Sequence, residues 1–495
     1  MTDVLEGTTP HLGPEDPLAL TRRAPRLHPD RRRVVAGLFA PAEEEPGSLS
    51  RASLVIDRIM ALDDDAVDRA YAQTLTGFAG RHRDLEGIFA DHFQRVGREY
   101  GAEVSDQRRL LIGAYFTHEY AIEGAALTNP SMVEHPDQSG LAEGELRFVI
   151  SARGIGEGHV SCIEFRTGVI GADGDVVVDQ PSPFAQTGGV REPLYDRAWF
   201  EAALTESGDG DAHISPLLSN GLPERFTRPE LEQWLAGFAP SAATADLIRR
   251  VADCQYVLEF TDDTALSERV LRPVAPSECR GMEDARFVRF TGADGNSGYR
   301  ATYTAYDGVS GAPQLIETAD FRTFHVSQLH GPAARNKGLA LFPRLIGGVH
   351  VALSRWDRES TSLASSPDGL VWGEPRTLRM PELSWELVQN GNCGSPIETP
   401  DGWLVLTHGV GPMRAYGIGV LLLDLDEPQK VIGVLAEPLL TADADERDGY
   451  VPNVVYSCGA LQHGEHLVIP YGFSDVGIGF ATVGIPELIG RMRQR

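Results

Sequence analysis

The sequence predicts a mainly β protein: a five-bladed β-propeller preceded by an α-helical region and interrupted by a helical insertion. Three observations predict it. The 53 glycines and 32 prolines among 495 residues exceed what a helical bundle needs and imply many tight turns. A strand–turn–strand pattern recurs in RFVISARGIGEGHVSCIEF, GMEDARFVRF, GLALFPRLIGGVHVALSRW, GSPIETPDGWLVLTHGV and SCGALQHGEHLVIPYGF. From the second unit onward these start roughly 55 to 65 residues apart, a period at which repeated sheets bury both faces against their neighbours. Finally, helical spacing of apolar residues is confined to two stretches, leaving the rest of the chain to strands and turns. A large β-sandwich with irregular loops is the alternative that the same pattern allows.

Taken in order, residues 1–50 are polar and Pro-rich, carry RRR and EEE runs, and read as an irregular arm. Leu54, Ile56, Ile59, Met60 and Leu62 recur at helical spacing, as do Leu85, Ile88, Phe89, Phe93 and Val96. Leu110–Leu127, rich in alanine and aromatics, is a third candidate helix. Residues 1–128 are therefore expected to form the arm and helical region, and residues 129–490 the propeller. The texture changes at Asn129-Pro130. Arg147–Ala152 and His159–Thr167 read as a hairpin around GIGEG, and Val176–Val178 as a further strand. Residues about 192–250 return to helix, over Ala198–Leu204, Pro229–Phe238 and Ala242–Val251, and from Glu278 the β texture resumes.

Charge and cysteine usage narrow the function. With 44 basic and 71 acidic residues the net charge is −27. That balance opposes unspecific nucleic-acid binding but leaves room for a local anion site. No apolar run is long enough to cross a bilayer, so no membrane partner is expected. The N-terminus lacks the basic-then-apolar pattern of a signal peptide. Cys162, Cys254, Cys279, Cys393 and Cys458 are scattered singly, without a CxxC pair, which indicates neither a zinc site nor a disulfide framework and suits a cytoplasmic protein. Lys337 and Lys430 are the lysines of a chain whose other 42 basic residues are arginine, so each marks a place where arginine was not used.

Several familiar signatures fail. GIGEG lacks the strand–glycines–helix context of a nucleotide-binding loop, His118-Glu119 is not followed by a second histidine, and there is no GxSxG elbow. The sharper signal is CRGMEDARF, where Glu283 and Asp284 sit between arginines at the start of an apolar strand. Neighbouring side chains of a regular strand point to opposite faces. One of the two acids is therefore expected in a cavity, and the other turned away or paired with an arginine. A structural ion pair at a strand edge is the plainer reading of the same residues.

GMEDARF resembles the Gly-x-Glu-Asp-Pro-Arg motif of glycoside hydrolase family 130, the β-mannoside phosphorylases and mannosidases. NKGLALFP (336–343), LLDLDEPQKVIG (422–433), VPNVV (451–455), CGA (458–460) and YGFSD (471–475) resemble further motifs of that family, in the same order. The resemblance covers about residues 129–490 and implies a five-bladed propeller. By position it implies that Asp284 is the catalytic acid, acting directly or through a sugar hydroxyl. It implies that Asp475 binds the sugar next to the broken bond and that Lys337 binds phosphate. Arg153 is a looser candidate for gripping sugar or phosphate, and Arg355 for phosphate. Ala285 departs from the family's proline. Ser354-Arg355 stands where a His-Arg pair is usual, losing one phosphate donor, although a serine hydroxyl still donates. Gly391-Asn392-Cys393-Gly394-Ser395-Pro396 also departs from the family's stretch.

Other candidates have bland alternatives. His408 reads as a substrate contact or a packed strand-end histidine. Glu386 and Glu398 read as surface carboxylates or, in a hydrolase, the base. Tyr306, Trp385 and Trp403 read as a stacking platform for a sugar or as core packing. The expected activity is that of an inverting phosphorylase of β-mannosides releasing mannose 1-phosphate. The alternatives are an inverting β-mannosidase and a non-catalytic glycan- or protein-binding propeller. Partners would be an oligosaccharide and inorganic phosphate as co-substrate, with no cofactor and no metal. The apolar helical region, richer than a free arm needs, suggests docking within the chain or a homo-oligomer.

Overall fold

β-Branched and aromatic runs separated by Gly- and Asp-containing turns form long antiparallel hairpins, and the chain is mainly β. The structure, a computed structural model, describes residues 18–39, 41, 50–97, 104–206 and 221–494. Leu146–Ile155 and Ser161–Ile170 pair without a break, flanked by Ala126–Glu134 and Val176–Val178. Gly281–Thr291, Ser297–Tyr306, Gly311–Thr318 and Thr323–Gln328 form the next meander, joined to the first by the parallel pair Gly281 and Ser161. Ala340–Leu341, His350–Ser354, Thr361–Ser366 and Arg376–Arg379 make a four-stranded sheet. Gln389–Asn392, Gly402–Val410, Tyr416–Leu423 and Val431–Val434 follow. The last hairpin, His466–Phe473 with Gly477–Gly484, lies between Val455–Tyr456 and Thr21–Leu27.

Each group of strands packs on the next. Phe165 meets Phe287 and Phe324. Val288 and Leu315 meet Leu341 and Ala352. Phe342 and Leu353 meet Trp403 and Val405, and Leu406 and Val420 share a core with Leu467 and Ile469. Val468, Ile478 and Phe480 then pack back on Phe148 and Ile150 of the first group. Two hairpin turns, far apart in sequence, are built alike. The Gly156 amide donates to the Val160 carbonyl (3.1 Å) and the Gly411 amide to the Ala415 carbonyl (3.0 Å). The same left-handed pair follows in each, Gly158-His159 and Met413-Arg414.

Among the described residues the α-helices are Arg51–Met60, Asp64–Phe78, Leu85–Val96 and Asp106–Tyr115 near the N-terminus, then Arg197–Glu206, Arg228–Phe238 and Ala242–Ala252, and the short Ile485–Gly490 near the C-terminus. Asp64–Phe78, which sequence reading passed over, carries Val67, Tyr71, Leu75 and Phe78 at helical spacing, and Val67 and Tyr71 are buried. Asp63 caps it by accepting from the Ala66 amide, and Asp64 and Asp65 occupy its first turn. The helix expected over residues 110–127 ends at Tyr115. Thr117–Ala121 instead pairs with Val34–Leu38, burying Val35, Tyr120 and Ile122 in one cluster. Tertiary pairing overrides local helix preference there. The irregular arm is likewise corrected over the residues seen, since Thr21–Leu27 is an added strand; residues 1–17 and 42–49, with the EEE run, lie outside the described residues.

Candidate active site

The motif strand Gly281–Thr291 does not alternate regularly. Glu283 faces Thr304 and Arg286 faces Thr302, so Asp284 and Ala285 together oppose one residue of the neighbouring strand. This is a β-bulge. At its centre Asp284 adopts the left-handed conformation, φ 57°, which aspartate tolerates better than most residues. The expectation that Glu283 and Asp284 point to opposite faces is corrected accordingly, because both reach the same arginine. Arg153 lies 2.5 Å from Glu283 Oε1 and 3.4 Å from Asp284 Oδ1. Arg286 holds the bulge from behind. Its guanidinium donates to the Asp284 carbonyl (2.6 Å), the Cys393 carbonyl (2.7 Å) and the Tyr456 hydroxyl (2.9 Å).

Around Asp284 the groups are tightly tied. Asn129 Nδ2 donates to Asp284 Oδ1 at 2.6 Å, and Thr128 donates to Asp475 Oδ1 at 3.2 Å. Asn129 and Asp475 are also left-handed, φ 48° and 52°. Backbone conformations of this cost persist where surrounding structure holds them, and they cluster at functional sites. Burial pushes the Asp284 carboxyl up, but Arg153, Lys337, Arg286 and the Asn129 amide outweigh it and hold it at about 2. Asp475 moves the other way, raised by burial and by the Asp284 charge despite Arg153. Adjacent carboxylates in contrasting environments are the arrangement from which acid and base roles are made.

Beside this cluster opens a cavity of about 400 Å³ lined by Glu283, Tyr306, Lys337, Arg355, Arg358 and Gln389, among others. Lys337 Nζ lies 3.7 Å from Glu283 Oε2. Arg355 is 7% exposed, has no ion-pair partner among the described residues, and leaves its Nε without a hydrogen bond. Two glycines make room for it. A Cβ at Gly391 would stand 2.4 Å from Arg355 Nε, and one at Gly338, whose φ is 96°, would stand 2.8 Å from its Cδ. Arg358 Nε donates to Asn336 Oδ1 (2.8 Å). Three cations thus converge on one cavity, where a compact anion with several acceptor oxygens would satisfy them.

The structure brings together Asp284, Asp475, Arg153, Lys337, Arg355 and Tyr306, the last with its hydroxyl donating to the Gly308 carbonyl (2.9 Å). Other candidates lie elsewhere. His408 is fully buried behind Arg355, against Gln389 (3.1 Å) and edge-on to Tyr456, and burial with Arg355 and Arg286 pushes its pKa well down. Glu386 is no surface carboxylate. It is fully buried, paired with Arg379, and accepts from Asn390 and the amides of Glu382 and Leu383. Glu398 does lie at the surface, paired with Arg344 at 2.6 Å. Trp403 is core, and Trp385 packs over Gly409 and Gly419. The Ser354 hydroxyl is spent on the Ala333 carbonyl (2.9 Å) and is not offered to the cavity. Sequence reading passed over Asn129, Arg358 and Gln389. The Asn-Pro step was a signal for Asn129, read there as a mere change of texture.

Comparison with known proteins agrees with these motifs. Residues 254–494 match the family model described as β-1,4-mannooligosaccharide phosphorylase, Glyco_hydro_130. The chain is 31% identical over 227 residues to a 1,2-β-oligomannan phosphorylase of Thermoanaerobacter sp., covering 45% of this chain and 75% of that one. It is 32% identical over 231 residues to a β-1,2-mannobiose phosphorylase of Listeria innocua, covering 45% of this chain and 63% of the relative. A solved structure of β-1,2-mannobiose phosphorylase from Listeria innocua in complex with β-1,2-mannobiose aligns with TM-score 0.43 and 21% identity, over 75% of this chain and 93% of that one. With the motif strand, the cation-lined cavity and a relative matched over three quarters of its length, the chain belongs to glycoside hydrolase family 130.

Proposed function

We propose that this protein is an inverting glycoside phosphorylase that cleaves β-mannosides with inorganic phosphate and releases mannose 1-phosphate. The observation that carries the reading is the convergence of Lys337, Arg355 and Arg358 on one cavity beside Asp284, with Arg355 buried and without an acid partner among the described residues. Phosphate brings about two negative charges near neutral pH. Burying them in a chain of net charge −27 requires such a local cluster. We take residues 129–490 as a five-bladed propeller, supported by the successive packing of its strand groups and the return of the last onto the first. Residues 1–128 and about 192–250 then add helices to it.

In this mechanism Asp475 and Arg153 hold the sugar, and phosphate attacks the anomeric carbon from the side of Lys337 and Arg355. Asp284 delivers a proton to the departing oxygen, directly or through a sugar hydroxyl. A carboxyl held at about 2 in the free protein is ionised at neutral pH and cannot donate. Asp284 therefore has to take up a proton as substrates bind, and bound phosphate, by offsetting the Lys337 charge, moves its pKa upward in that direction. Hydrolysis is the competing reading, and Ser354 favours it, because the hydroxyl where the family uses histidine is turned to Ala333. Incubating β-mannosides with and without phosphate and identifying the products separates the two. Mannose 1-phosphate formed only with phosphate is expected; free mannose at the same rate without phosphate would establish hydrolysis.

A further inference from the structure

The N-terminal strand Thr21–Leu27 does more than extend a sheet. It pairs with Gly477–Gly484, whose hairpin turn carries Asp475. From this strand Arg22 and Arg26 both reach one fully buried carboxylate, Glu446. Arg22 Nη2 lies 3.5 Å from Glu446 Oε2 and donates to the Thr441 carbonyl at 2.6 Å. Arg26 Nη2 donates to Glu446 Oε1 at 3.2 Å. The Tyr471 hydroxyl donates to the same oxygen at 2.6 Å, and the Asp443 amide to Oε2 at 3.1 Å. Arg22 and Arg26 also pair with Asp443 and Asp445, 3.1 Å each.

Glu446 in turn holds the turn next to the sugar site. Its main-chain carbonyl accepts from the Ser474 hydroxyl at 2.5 Å. The Ser474 amide donates to the Val454 carbonyl (2.7 Å), and the Ser474 carbonyl accepts from the Val451 amide (3.0 Å). Ser474 and Asp475 are both left-handed, φ 46° and 52°. A turn in that conformation keeps its shape because something outside it does the holding, and here the holding runs through Glu446.

A buried carboxylate is costly without its partners. Removing the two guanidiniums would leave Glu446 against Tyr471 and one amide, and the 443–454 segment would shift to hydrate it. We propose that Arg22 and Arg26 are positioning residues for Asp475, acting through Glu446, so that an N-terminal strand outside the family-matched segment sets the geometry of the sugar side of the cavity. This rests on the reading of Asp475 as a sugar ligand. It also separates the two halves of the site, because the partners of both arginines named above lie in other segments than the loops that carry Lys337, Arg355 and Arg358.

The test compares the double variant Arg22→Ala/Arg26→Ala with Arg23→Ala in the full chain. Arg23 belongs to the same strand but bonds Thr482 at 2.7 Å and pairs with Asp175, away from Glu446. The double variant should raise KM for the mannoside about tenfold or more, since small misplacements of a positioning group carry penalties of that order. It should leave KM for phosphate within about twofold, and Arg23→Ala should change neither, even where it lowers Tm. Adding Glu446→Gln to the double variant should recover part of the loss by removing the unpaired charge. Amide hydrogen exchange over residues 473–476 needs no turnover and should quicken in the double variant but not in Arg23→Ala. Unchanged exchange, equal effects of both variants, or equal rises in KM for both substrates would overturn the proposal. Quickened exchange in a protein that turns over no mannoside would support the coupling and reject the functional reading.

Discussion

The two halves of the candidate site, the acid cluster and the cavity beside it, are built on opposite principles. On the acid side, the proposed sugar site, the polar groups already have partners: Asp284 with Asn129 and Arg153, Asp475 with Thr128, and Glu283 with Arg153 and Lys337. On the anion side Arg355 threads between two glycines and lacks an acid partner among the described residues. On the proposed mechanism, a half that is paired before substrate arrives exchanges existing bonds for bonds to sugar hydroxyls. A half with an unspent cation, Arg355, gains a bond there when an anion binds. The difference teaches that shape on one side and charge on the other can be altered independently.

The largest effect should come from breaking the paired side. Asp284→Asn should lower turnover roughly 10²–10⁴-fold, the range general acid catalysis supplies. Far-UV circular dichroism and Tm at neutral pH should show an intact fold, and a loss under about tenfold would reject Asp284 as the acid. The same variant should change acid stability with a definite sign. The carboxyl lies at about 2 in the folded protein, below the ordinary 3.8. Its stabilisation is therefore present above about pH 4 and lost as pH falls towards 2. Wild-type Tm should fall more steeply than that of Asp284→Asn across that window.

A smaller, one-sided effect should come from the anion half. Arg355→Ala should raise KM for phosphate about tenfold to a hundredfold, the worth of a hydrogen bond to a charged group. KM for the mannoside should stay nearly unchanged. Gly391→Ala, whose new methyl would collide with Arg355 Cδ and Nε at 2.4 Å, should reproduce that phenotype. Equal damage to both substrates would erase the distinction between the halves.

The least effect on chemistry should come from the two carboxylates once considered as bases. Glu398→Gln, at an exposed ion pair, should leave phosphate-dependent turnover and Tm unchanged. Glu386→Ala removes one partner of a buried pair and should cost about 3–5 kcal/mol in denaturant unfolding. Its folded fraction should keep the wild-type KM for both substrates. A selective loss of phosphate-independent sugar release in either variant would bring hydrolysis back.

Which of these features could be read from the chain depends on how local their cause is. The strands around GIGEG and the helices Leu85–Val96 and Ala242–Ala252 were legible, because apolar spacing and turn residues specify them within a dozen positions. Candidate residues Asp284, Asp475, Lys337 and Arg355 were legible because motif order places them along the chain. The bulge was not, since the extra residue exists only relative to the neighbouring strand at Thr302 and Thr304. Nor was the fate of Glu386, which looks like a surface acid until Arg379 and Asn390 close over it, while for His408 a packed strand-end histidine and a substrate contact were both open, and its burial against Tyr456 fits the packed reading.

The sequence by itself determined a mainly β chain with two helical regions, an acidic surface and a set of family-like acid and cation motifs, because composition and periodicity act through near neighbours. Only the tertiary structure decided that Glu283 and Asp284 share Arg153, that Arg355 has a glycine-walled slot, and that residues 21–27 close onto the last hairpin. Those facts turn on burial and on pairing between segments as far apart as Arg22 and Glu446, and no local pattern carries the free energy of such contacts.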